Sequence, residues 1–83
     1  MKKVKSTDPR KVKIVEILKN ASNGVKVTNV LELKTGGGMK KFSGHCFSKE
    51  KDGRKYNRIG CFEVYFNSIM EFIHVKKMEE IGS

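Results

Sequence analysis

The chain predicts an α+β fold: a three-stranded antiparallel sheet with a central hairpin turned at Asp52–Gly53, packed against an N-terminal and a C-terminal helix. Three observations carry this expectation. An apolar stripe at helical spacing follows Asp8–Pro9, apolar–polar alternation flanks Asp52–Gly53 and runs through residues 25–34, and a second helical stripe follows Asn67–Ser68. A chain of 83 residues buries about 60% of its unfolded surface, which suits one domain of two thin layers.

Residues 1–7 set three lysines around Val4 and bury too little to offset the entropy of ordering, so they read as a flexible basic arm before a single domain over 8–83. Asp8 can accept first-turn N–H bonds, and Pro9 loses nothing at a helix start. Val12, Ile14, Val15, Ile17, Leu18 and Ala21 then share one broad side of a helix. Asn23–Gly24 supplies a left-handed stop. A strand competes at residues 12–17, where β-branched residues gather, but the adjacent pair Ile14–Val15 breaks the alternation.

Val25 to Lys34 alternates with a change of phase at Asn29–Val30, the mark of a strand with a bulge. Gly36–Gly37–Gly38 is too permissive to lie inside an element and reads as a loop. Residues 39–48 and 56–66 form the two strands of the central hairpin, with Phe62, Val64 and Phe66 on one face and Cys61, Glu63 and Tyr65 on the other. After Asn67–Ser68, Ile69, Phe72, Ile73 and Lys76 line a helical stripe. A fourth strand fits the same residues, since Ile69, Glu71, Ile73 and Val75 alternate with Met70, Phe72 and His74; the helical composition of residues 78–81 favours the helix.

Eighteen Lys and Arg stand against nine Asp and Glu, a formal charge of +9. Residues 1–13 hold six basic side chains against one acidic, and residues 38–58 hold seven against two. The basicity therefore lies in the arm and the hairpin. A cluster of Lys40, Lys41, Lys49, Lys51, Arg54, Lys55 and Arg58 suits phosphate backbones, with Tyr56 placed to stack on a base. Lysine outnumbers arginine, so the expected partner is DNA or RNA bound without strong sequence preference. Six to eight phosphate contacts would lose about three to four orders of magnitude in affinity between roughly 50 and 200 mM salt. A lysine-rich solvated face with no partner is the bland alternative. In order of elements the chain is similar to compact single-stranded nucleic-acid-binding folds, an architectural likeness that rests on no motif.

A second function class is a protein-interaction or inhibitor module. It would use the aromatic C-terminal residues Tyr65, Phe66, Ile69, Met70 and Phe72, either as a homo-oligomer or against an acidic protein. Catalysis is not expected, because no nucleophile turn or paired carboxylates assemble, and Asp8, Asp52 and Glu63 fit as cap, turn and strand residues. No metal or cofactor is expected either. His45 and Cys46 are adjacent and point to opposite faces of a strand, and no Cys-x-x-Cys knuckle accompanies Cys61 and His74. The three glycines lack the spacing of a phosphate-binding loop. Two cysteines are too few for a disulfide scaffold, and no apolar run or leader-like segment is evident. A cytoplasmic protein with no membrane contact is the resulting expectation.

Overall fold

The computed structural model describes residues 2–49 and 55–78. Strand β1 (Lys2–Lys3) leads into helix α1 (Arg10–Ser22), followed by β2 (Lys26–Leu33), β3 (Lys40–Lys49), β4 (Tyr56–Phe66) and β5 (Phe72–Lys77). The strands form one antiparallel sheet in the order β1-β2-β3-β4-β5, a meander in which every neighbour in sequence is a neighbour in space. The helix lies on one face of it.

Two parts of the expected architecture are corrected. Among the described residues the sheet has five strands instead of three, and a single helix packs on it instead of two. Residues 69–78 do not form the second helix. Asn67 turns the chain first: its Oδ1 accepts N–H bonds from Ile69 at 3.1 Å and Glu71 at 2.8 Å, while its Nδ2 donates to Glu71 Oε1 at 2.9 Å. Met70 takes the left-handed conformation at φ 64°, and the reversed chain pairs with β4 as β5. Alternation wins because the ladder satisfies the backbone and sends Val75 against the core.

At the start of α1, the Arg10 N–H donates to Asp8 Oδ1 at 2.9 Å. The Arg10 guanidinium reaches back to Asp8 Oδ2 at 2.8 Å and across to Glu32 Oε1 at 3.3 Å, tying the helix entry to β2. These Arg10 bonds hold the Asp8 carboxyl down at about 2. At the far end Asn23 adopts φ 55°, and the Gly24 N–H donates to the Lys19 carbonyl at 3.0 Å. Ile14 and Leu18 are fully buried, whereas Val12, on the apolar side of the wheel, is 68% exposed. The buried side of α1 is narrower than its apolar side.

The core lies between α1 and the middle strands, formed by Ile14, Leu18, Val30, Phe42, Cys46, Phe62, Val64 and Phe66, with Val4 closing one end. The residues read as a basic arm thus contribute β1, paired Lys2 to Glu32 and Lys3 to Leu31, and a core valine. Phe42 and Phe66 meet edge to face at 5.7 Å. A Cβ added to Gly44 would lie 2.8 Å from Leu18 Cδ1 and 3.0 Å from Val27 Cγ1, so glycine here sets how closely the helix approaches. The phase change in β2 is a register shift between Thr28 and Leu31, with Asn29 at φ 54°. Gly37 and Gly38, at φ 70° and 75°, make the β2–β3 connection. The Asp52–Gly53 turn lies outside the described residues, although Lys49 and Tyr56 pair beside it.

Candidate nucleic-acid interface

Strand alternation divides the basic residues between two faces. Phe42, Gly44 and Cys46 of β3 and Phe62, Val64 and Phe66 of β4 point to α1. Lys41, Ser43 and His45, opposite Tyr65, Glu63 and Cys61, point the other way. Among the described residues no element covers that second face.

Near its middle sits Glu63, only 6% exposed. Its carboxylate lies 3.5 Å from Lys41 Nζ and 3.9 Å from Lys76 Nζ, and Tyr65 Oη donates to it at 3.1 Å. The two ammonium groups also flank the Tyr65 ring, at 5.6 and 5.8 Å from its centroid, and His74 stacks on that ring at 4.4 Å with 13° between planes. This half of the face is therefore a cluster in which one carboxylate is shared between two lysines.

The half nearer the β3–β4 turn is different. Tyr56 is 47% exposed, and its ring centroid lies 4.7 Å from Lys26 Nζ and 5.9 Å from Lys49 Nζ. Arg58 pairs with Phe47, and Phe47 pairs in turn with Lys26. A register shift between Cys46 and Phe47, with Gly60 at φ 155°, restores Arg58 and Tyr56 to the uncovered face after Ile59 turns to the core. Lys26, Lys49, Tyr56 and Arg58 thus share one end of one face, with Lys55 beside them in sequence.

The expected cationic set is thereby divided. Lys49, Tyr56 and Arg58 come together, and Lys41 shares their face but is tied to Glu63. Lys40 pairs with Phe66 and so belongs to the opposite face, beside a depression it shares with Lys2 and Lys34. Lys51 and Arg54 lie outside the described residues. Lys26 joins the cluster from β2, thirty positions before Tyr56 in sequence, and only the strand register brings it there.

The aromatic C-terminal set is scattered as well. Phe66 is fully buried, Met70 packs against the core, and Tyr65 is stacked on the uncovered face, while Ile69 and Phe72 are 73% and 48% exposed. Cys46 is buried with its Sγ 3.8 Å from the Leu18 carbonyl, and desolvation pushes its thiol pKa up. Cys46 and Cys61 lie on opposite faces of the sheet and form no disulfide, and no three His, Cys, Asp or Glu side chains converge among the described residues. No described helix is long and apolar enough to cross a membrane.

Fold and site together define a class: a small basic α+β domain in which one helix covers one face of an antiparallel meander and no described element covers the other. No protein-family model, curated protein or solved structure matches this chain.

Proposed function

We propose that the chain is a non-enzymatic nucleic-acid-binding domain that takes a single strand on the uncovered end of its sheet. Lys26, Lys49, Lys55 and Arg58 meet phosphates, and an unpaired base stacks on Tyr56. The carrying observation is the half-exposed Tyr56 ring with an ammonium group at 4.7 Å and another at 5.9 Å. Stacking on an exposed ring needs a base free of its partner, which favours a single strand over a duplex. Contacts to the backbone dominate, because the cluster is mostly lysine and offers few bidentate forks for base edges.

Fluorescence anisotropy with a labelled oligonucleotide of mixed sequence tests the proposal. Four phosphate contacts on a single strand give a slope of about −3 in log affinity against log salt. Reversing Lys26 and Lys49 to glutamate should abolish most of the binding for every sequence alike, with the circular dichroism spectrum unchanged. Absence of binding at about 50 mM salt, where phosphate contacts are strong, would contradict the proposal.

A further inference from the structure

The meander ends at β5, and no described residue pairs with its outer side. Such an edge presents alternate N–H and C=O groups with no ladder partner. On the helix side of the edge, Ile17 and Ala21 of α1 face Phe72 and Val75 across an open groove of about 340 Å³. On the other side Lys76 extends with its side chain 53% exposed, its ammonium 3.9 Å from Glu63 and retaining donors toward solvent. Lys77, paired with Phe62, lies on the helix side at the end of the strand. Backbone donors, an apolar groove on the helix side and the Lys76 ammonium on the other side thus line one edge.

We propose that this edge accepts an extended acidic peptide as a sixth strand. The peptide backbone completes the β5 ladder, every second side chain is apolar and enters the groove beside Ile17 and Phe72, and the intervening carboxylates lie on the side of the sheet that carries Lys76. Charge complementarity selects this occupant over a second copy of the chain. Pairing β5 with itself would bring together two molecules of formal charge +9 and crowd their edge lysines. The inference is independent of the nucleic-acid reading, because β5 pairs only with Phe62–Phe66 of β4 and stops short of Tyr56.

A labelled, terminally blocked octapeptide of alternating valine and glutamate, titrated against the full chain, tests this. Saturable binding is expected, weakened about tenfold by Lys76→Glu, as turning one attraction into a repulsion implies. N-methylation of alternate peptide nitrogens should remove binding, and an alternating valine–lysine peptide should not bind. The proposal is overturned if the valine–glutamate peptide does not bind, or if the N-methylated peptide binds equally well, which would mean ion attraction without strand pairing. Loss of binding in Tyr56→Ala would also overturn it, by assigning the peptide to the uncovered face. A peptide-free dimer at micromolar concentration that Phe72→Lys dissolves would overturn it in favour of a second copy.

Discussion

Tyr56 is half-exposed and has two cationic neighbours at its ring, a combination that suits a planar anionic ligand. Tyr56→Ala should weaken oligonucleotide binding by about 1–3 kcal/mol, the range for one stacked base, while Tyr56→Phe keeps most of the affinity because the ring remains. Gly44 acts in the core instead. Gly44→Ala forces a methyl against the fully buried Leu18 and against Val27, and should cost about 1–3 kcal/mol, read as a lower denaturant midpoint at unchanged slope. Asp8 sets an acid limit. Its carboxyl titrates at about 2 in the folded chain against an ordinary 3.8, so its contribution is complete above the ordinary value and is lost as pH falls from there through the folded value. Unfolding titrations should show that Asp8→Asn loses less stability than the parent chain over that acid window.

At the scale of elements, the β4–β5 turn depends on Asn67, whose side-chain oxygen accepts two backbone N–H groups. Asn67→Ala should destabilise the protein by about 1–2 kcal/mol and increase hydrogen exchange first in β5. The same residue explains where the sequence misleads. Asn67–Ser68 satisfies the rules for a helix cap and for a side-chain turn alike, and the residues after it fit both periods. Only the neighbouring strand decides, by offering a ladder to Phe72–Lys77. Helix α1 was legible because Asp8–Pro9 and Asn23–Gly24 mark both its ends and the stripe between them is continuous. The pairing of β3 with β4 was legible from their alternation, and the break in β2 from Asn29–Val30. Strand β1 was not, since two lysines carry no β signal and pair only because Val4 is anchored in the core.

For the whole molecule, a charge of +9 shows an excess without showing where it acts. Strand alternation distributes it: Lys40 and Lys41 are adjacent in sequence yet lie on opposite faces, and Glu63 offsets Lys41 and Lys76 at the middle of the sheet. A hairpin read as one cationic platform therefore becomes a smaller cluster at one end of one face, completed by Lys26 from another strand. Charge counts over a segment could identify Lys49 and Arg58, but finding Lys26 required the register of β2 on β3. The most direct test is a map of backbone amide shifts in the full chain as a single-stranded oligonucleotide is added at low salt. The account predicts that the largest changes fall on Lys26, Phe47, Lys49, Tyr56 and Arg58, with α1 unaffected; changes centred on α1, or spread evenly over the lysines of both faces, would contradict it.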